Sequence, residues 1–262
     1  MAVAGRGCED TPGHPPRLVT GTMEPAPLIL PLLRAAAWLE EDPGPGRVPA
    51  VADGFLDVAW GAPEVGFVDR LQRRRLSVLA RGFCHCAHRL DPPAQARTVF
   101  ASRHGEAART LAVFKDLAAQ AEVSPALFSL SVHNAVPGLW SILAGSRAPV
   151  SALAAGPETF LWGLVEALAT YRAAPSAPVL FVFAEDRLPD PWADPVPRGV
   201  PHALALLLGE PAQRRLRLVR EPGAGPAEPP LAPSLACLQT LGAGGAGAWA
   251  GPEALWRWEM TI

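Results

Sequence analysis

The segment that most constrains this chain is residues 124–167, where a helix, a short strand and a second helix follow one another with few connecting residues. Apolar residues recur at three- and four-residue steps from 131 to 143, which is typical of a helix with one apolar face; they are Val132, Val136, Leu139, Trp140 and Leu143. Pro137 is expected to kink this helix and Gly145 to end it.

A short apolar run with small residues, 149–155, follows and predicts a buried strand. Gly156, Pro157 and Glu158 then predict a sharp strand-to-helix turn, because proline and glutamate suit a first helical turn. The next helix is predicted from its apolar stripe of Phe160, Leu161, Leu164, Val165 and Leu168.

The rest of the chain alternates between strand and helix patterns. Apolar runs predict strands at 28–39, 97–102, 178–184 and 202–208, with 215–219 pairing to the last, and periodicity predicts helices within 65–90 and 105–121. The second of these helices is expected to turn Leu111, Phe114 and Leu117 inward. Residues 40–62 are rich in turn residues and predict a loop. This alternation predicts an α/β domain with a mixed sheet and helices on its faces.

Composition bounds the function. A net charge of -2 argues against nucleic acid as a partner. No apolar run reaches membrane-spanning length, and residues 1–22 lack the apolar core of a signal peptide, so they are expected to be a disordered leader. Four cysteines form no disulfide framework at this length, which favours a reduced, cytoplasmic setting. Residues 23–220 are predicted to form the domain, and 221–262 a linker and tail rich in proline and glycine.

Several short motifs resemble one known family. The words are FSLSVHNA at 128–135, GLWSI at 138–142 and AAGPE at 154–158, supported by VFASRHGE at 99–106 and RRLS at 74–77. They are similar to β-ketoacyl synthases of the thiolase-like superfamily, in particular to the half-length β-ketoacyl synthase-like N-terminal domain. The best resemblance is to the chain length factors of aryl polyene gene clusters. It covers about residues 60–208 and implies half of a thiolase-like fold.

The resemblance implies a ketosynthase body without its reaction centre. A ketosynthase carries its acyl chain on a cysteine at the strand-to-helix turn, and the position that matches is Gly156. No cysteine, serine or threonine lies between 152 and 158, and glycine can neither attack nor carry an acyl group. The two histidines of the family's second half are also expected to be missing here.

The implied role is therefore that of a partner subunit. Its partners would be a full-length ketosynthase and an acyl carrier protein, in aryl polyene or related fatty-acid-like biosynthesis, with no cofactor and no metal. The strand 149–155 would pair across the subunit interface, and Leu139, Trp140 and Trp162 would shape the acyl tunnel or belong to the core. Structural or interface candidates are Ser131, His133, Asn134, Gly138, Trp140 and Trp162. Arg73, Arg74 and Arg75 would either dock the acidic carrier protein or form a solvated helix start.

Other hypotheses stay open from the residues alone. Ser131 or Ser129 could serve an independent acyl hydrolase or transferase, although Ser131 and His133 point to different helix faces and no nucleophile elbow is present. Alternatively, Ser131 caps its helix while His133 and Asn134 make buried hydrogen bonds. A stand-alone module that binds carrier protein is a third function. Two further clusters contain residue types that could bind a cation. One is the group Cys84, His85, Cys86 and His88, which could instead have no metal role. The other is the acidic loop with Glu185, Asp186, Asp190 and Asp194, which could instead be a solvated loop.

Overall fold

The computed structural model describes residues 26–41, 54–192, 200–223 and 231–262. The strands in these ranges are β1 (Leu28–Leu39), β2 (Leu56–Trp60), β3 (Arg97–Ala101), β4 (Val150–Leu153), β5 (Val179–Glu185), β6 (His202–Leu208), β7 (Arg214–Pro222), β8 (Gly245–Ala250) and β9 (Ala254–Thr261). The helices are α1 (Arg70–Arg73), α2 (Val78–Leu90), α3 (Ala107–Ala118), α4 (Pro125–Ser129), α5 (Ala135–Leu143), α6 (Thr159–Ala173) and α7 (Pro233–Ala243). The expected leader, residues 1–22, lies outside the described residues.

These strands form one mixed sheet in the order β4-β3-β5-β6-β1-β7-β9-β8, with β2 beside β1. β4, β3 and β5 run parallel, whereas β5, β6, β1, β7, β9 and β8 join through antiparallel pairs. The first half of β1 pairs with β7, and its second half pairs with β2. The prediction of a mixed sheet is therefore confirmed.

Helices cover both faces of the sheet and enclose two apolar cores. On one face α2 packs on β6, β1 and β5, and α5 packs beside it against β4; on the other face α6 packs on β5 and β3, and α7 packs on β8 and β9. β5 is buried on both sides, which explains why its sequence is a continuous apolar run rather than an alternation. The amphipathic pattern of α2 is also explained, because Leu79 and Phe83 point into the core.

α6 approaches the sheet closely at a glycine. A Cβ atom added at Gly163 would lie 2.6 Å from the ring of Phe181 and 2.9 Å from the Cβ of Ala101. A side chain there would force the helix away from β3 and β5, so glycine is what allows this packing distance.

Some local predictions differ from the structure. The stretch expected to be loop contains β2, and β7 pairs with β1 and β9 rather than with β6. In α3 the buried apolar residue is Val113, while Phe114 and Leu117 are exposed. α5 begins at Ala135, so Pro137 lies in its first turn, where the missing N–H costs no helical hydrogen bond and no kink is needed.

The predicted linker and tail from residue 221 onward is organised differently. β7 runs to Pro222, and β9 and β8 extend the same sheet, with β9 hydrogen-bonded along β7 and α7 packed against both added strands. Trp256 and Trp258 are buried, and residues 245–250 form a strand rather than part of a linker and tail. Glycine and alanine suit β8 because they let its neighbour's large rings pack closely: a Cβ at Gly247 would lie 2.4 Å from the indole of Trp258.

Candidate functional site

The open edge of the sheet at β4 is the candidate site. Among the described residues β4 pairs only with β3, through Thr98 N–H to the Pro149 carbonyl and Ser102 N–H to the Leu153 carbonyl. Backbone groups alternate direction along a strand, so the N–H groups of Val150 and Ala152 point away from the sheet. The strand predicted to be buried is therefore an exposed edge, which is a template for pairing with another chain.

Exposed apolar side chains lie on β4 itself and on α5, which contacts β4, and on the segment before α5. Val132 before α5, Ile142 on α5 and Val150 on β4 have exposed fractions of 41%, 68% and 41%. Phe128 on α4 is exposed as well. Large apolar side chains gathered beside an unpaired strand are typical of a surface that another protein covers.

The turn after β4 contains no free nucleophile. Gly156 is exposed with a φ of +56°, and no atom lies within 4 Å of the position of an added Cβ. The nearest hydroxyl is that of Thr159, which accepts the N–H of Ala155 at 2.8 Å and donates to the carbonyl of Gly156 at 2.6 Å. Since this hydroxyl is buried and engaged in closing the turn, it is not free to attack an acyl group.

Aromatic residues close the other side of this turn. The indole N–H of Trp162 donates to the buried carboxylate of Glu158 at 3.1 Å, and the ring meets Trp256 edge to face at 5.5 Å. The guanidinium of Arg220 lies over both indole rings, 5.5 Å from the centre of Trp162 and 5.8 Å from that of Trp256. Trp162 is thus held by its neighbours, although part of its ring stays exposed.

A hydrogen-bonded cluster, here named the edge network, fixes the carboxyl end of β4; it consists of Glu185, Ser102, Gly105, His133 and Leu153. The Leu153 carbonyl lies 3.0 Å from Nε2 of His133 and accepts the N–H of Ser102 at 3.3 Å. The Ser102 hydroxyl accepts the N–H of Gly105 at 2.9 Å and donates to Glu185 at 3.4 Å. The sequence placed Glu185 in a solvated acidic loop, but the structure makes it a partly buried acceptor at the end of β5.

Comparison with known proteins agrees with this geometry. Residues 52–259 match the family model of the β-ketoacyl synthase N-terminal domain. This chain belongs to that family. The solved complex of the ketosynthase ApeO with its chain length factor ApeC, from Xenorhabdus doucetiae, is similar at 31% identity and a TM-score of 0.65, covering 73% of this chain and 81% of that one.

A second solved structure, the ishigamide ketosynthase/chain length factor, aligns over 75% of this chain and 67% of that one. Its identity is 13% and its TM-score 0.53, so it shows the fold alone. No curated protein matches the chain. The predicted family and thiolase-like fold are confirmed.

The remaining interface candidates of this β-ketoacyl synthase domain lie around α5. Ser131 lies before α5, whose N-cap residue is Asn134, so Ser131 does not cap this helix. Its hydroxyl donates to the Phe128 carbonyl at 2.8 Å and not to His133. Asn134 is the exposed N-cap residue but makes no side-chain capping bond. Gly138 has open space around it, and Trp140 is a core residue that packs near Phe83 with only 7% of its surface exposed.

The three consecutive arginines have unequal roles. The guanidinium of Arg73 donates to the carbonyls of Val68 at 2.7 Å and Gly66 at 3.1 Å, so it closes the preceding turn. Arg74 and Arg75 are exposed, and so is Arg70 one turn earlier. These last three are the members of the cluster whose side chains are exposed.

Two groups of residues whose side chains could serve catalysis are instead part of the buried interior. Cys84 and Cys86 lie in the core, and burial raises the pKa of the Cys84 thiol to about 12, while His85 accepts the Glu64 N–H at 2.9 Å.

A Ser–His pair not expected from sequence joins Ser234 to His202 at 2.7 Å. Both members are buried, and Nδ1 of the histidine is bound to the Val200 carbonyl, so the pair ties α7 to β6 and offers no access to a substrate.

In the described part of the chain, no cluster of three or more histidine, cysteine, aspartate or glutamate side chains is arranged to hold a metal ion. The helices in this part are too short or too polar to cross a membrane.

Proposed function

We propose that this chain is a non-catalytic chain length factor that pairs with a full-length ketosynthase through β4. The observation that carries the proposal is an edge strand that pairs only with β3 among the described residues, that has exposed apolar side chains near it, and that leads into a turn without a cysteine, serine or threonine from 152 to 158. A partner strand would satisfy the outward backbone groups of Val150 and Ala152, and Val132, Ile142 and Val150 would be covered at the same time.

The proposed division of labour follows from the turn. The partner's cysteine carries the acyl chain and performs the condensation, while this chain completes the interface. Since Trp140 is a core residue, the exposed side chains of Phe128, Val132 and Ile142 are better placed to border a channel between the two subunits. Their bulk would limit the acyl chain by steric exclusion. We place the protein in the cytoplasm, in aryl polyene or related polyketide and fatty-acid-like synthesis, in line with the similarity to ApeC.

The decisive experiment is co-expression with the candidate ketosynthase, followed by size-exclusion chromatography and a malonyl condensation assay. We expect co-elution as a heterodimer, and condensation that needs both chains and the partner's cysteine. A Gly156→Cys variant is the matched control and is expected to leave this requirement unchanged. A monomer that turns over a thioester by itself would contradict the proposal.

We further propose that the acyl carrier protein docks on the exposed arginines Arg70, Arg74 and Arg75 beside the exposed side chain of Leu71. Carrier proteins present acidic helices, which suit such a basic and apolar surface. Reversing two charges with R74E/R75E is expected to weaken carrier-protein binding by about tenfold at low salt, because exposed ion pairs contribute modestly and are screened by salt. Surface plasmon resonance at two ionic strengths would measure it.

The control for this prediction is R217E, which makes the same kind of charge change on exposed Arg217 of β7. It should leave carrier-protein binding unchanged. Equal losses in both variants would show that net charge, rather than this surface, governs binding.

A further inference from the structure

Glu185 at the carboxyl end of β5 is bound to the loop that follows β3. Its carboxylate accepts the backbone N–H of Arg103 and the hydroxyl of Ser102, the latter at 3.4 Å. The backbone N–H of His104 also stabilises the ionised form. A carboxylate that accepts several donors from one short loop restrains that loop in one conformation.

The same loop holds the end of β4. The N–H of Ser102 and Nε2 of His133 both reach the Leu153 carbonyl, at 3.3 Å and 3.0 Å. Gly105 has a φ of +54°, and a Cβ there would lie 2.7 Å from Nδ1 of His133, so the histidine ring rests directly on this glycine. The position of Leu153 therefore depends on the loop both directly and through His133.

We infer that Glu185 is a positioning residue for the partner edge: it holds the 102–105 loop, and the loop together with His133 holds the carboxyl end of β4 in place for pairing. The inference rests on the proposed function of β4. The bonds from the Ser102 hydroxyl and the Arg103 N–H favour the ionised carboxylate, so protonation would remove the charge that strengthens them and the loop and the strand end would loosen.

The surroundings of Glu185 place its titration near neutral pH. Burial raises its pKa to about 7, and the hydrogen bonds from Arg103 and Ser102 oppose that rise. Burial lowers the pKa of His104 to about 4 and also lowers that of His202, the register partner on β6, so both imidazoles stay neutral where Glu185 titrates. The charged and titratable groups around it are Arg103, His104, Asp186, Arg187, Glu40 and His202.

The first test needs no partner. With a pKa of about 7, the protonated fraction of Glu185 rises about tenfold when the pH falls from about 8 to about 6. Amide exchange at 102–105 should therefore become about tenfold faster at the lower pH, after correction for the intrinsic rate. Hydrogen exchange with mass spectrometry measures it. E185Q is expected to exchange fast at both pH values, and the control D186N should keep the pH dependence.

A merely structural role is distinguished by the sign of the stability change. The folded pKa of Glu185 lies above the value of 4.5 for an unfolded glutamate, so its stabilising contribution is full below about pH 4.5 and is lost as the pH rises through about 7. Its contribution to the free energy of unfolding thus falls with rising pH, because burial disfavours the charge, whereas protection of the loop rises, because the bonds from Arg103 and Ser102 favour the charge on a carboxyl that stays on β5. A merely structural residue would move stability and loop protection together.

The second test uses the heterodimer. Its Kd is expected to be about tenfold lower at about pH 8 than at about pH 6, and E185Q should abolish that difference while the same partner is used throughout. Exchange that does not depend on pH in the wild-type chain, or a Kd profile unchanged by E185Q, would overturn the inference. A wild-type chain with the expected exchange profile but no heterodimer at either pH would instead overturn the proposed function.

Discussion

Ala152→Pro is expected to weaken the heterodimer by about 100-fold, which corresponds to about 3 kcal/mol. The N–H of Ala152 points away from β3, so proline removes a donor to the partner strand and none to this sheet. Proline is tolerated on edge strands at such outward positions, whereas its ring blocks the approach of a pairing strand. Analytical ultracentrifugation of the heterodimer would give the Kd, and the thermal midpoint of the isolated chain should change little.

The matched control is Ala152→Val, which adds similar bulk but keeps the N–H. It should bind within a few-fold of wild type, because the lost donor rather than added volume causes the effect. If proline binds as tightly as wild type, β4 is not the paired edge. If valine and proline weaken binding equally, the side chain rather than the backbone governs the interface.

Gly163→Ala is expected to destabilise the isolated chain by about 2 kcal/mol. The added Cβ would lie 2.6 Å from Phe181 and 2.9 Å from Ala101, and both are core residues that cannot move aside freely. The same substitution at Gly138, on α5, meets no atom within 4 Å and is expected to stabilise by up to about 1 kcal/mol, because alanine favours the helix.

Urea unfolding of the two variants and of the wild-type chain measures the two changes in the free energy of unfolding, which should have opposite signs. The comparison is matched because the chemical change is identical and both sites are helical. A neutral Gly163→Ala would mean that α6 lies farther from β3 and β5 than described. A destabilising Gly138→Ala would mean that this face of α5 is already packed in the isolated chain.

Several elements followed from the sequence because they depend on neighbours along the chain. The continuous apolar runs of β5 and β6, the amphipathic pattern of α2 and the turn at Gly156 all lie where periodicity and glycine placed them. β2 was missed because it is short and surrounded by proline and glycine, and it becomes a strand only by pairing with β1. The orientation of α3 was also missed, since its apolar residues Phe114 and Leu117 mark exposed surface rather than core.

The candidate site was predicted in part. The lack of a cysteine, serine or threonine around Gly156 needed only the sequence, and the motif around His133 led to the right family. Other features needed the fold. Backbone carbonyls bind the guanidinium of Arg73, whereas Arg74 is exposed. Glu185 is hydrogen-bonded to a loop more than eighty positions away in the chain. Local pattern cannot report the contacts of Glu185, because their partners are far apart in sequence, and it does not decide which of three neighbouring arginines turns back onto the preceding turn.

The sequence by itself determined the elements that local periodicity controls and the chemistry that residue types exclude: without a nucleophile from 152 to 158, no fold can make this turn a ketosynthase centre. Tertiary structure alone decided that β4 lies at one edge of the sheet formed by the described residues, that β8 and β9 extend this sheet, and that burial raises the pKa of the Glu185 carboxyl to about 7. The physical reason is that strand order, exposure and desolvation depend on which distant segments come together, and these are properties of the packed chain rather than of any stretch of it.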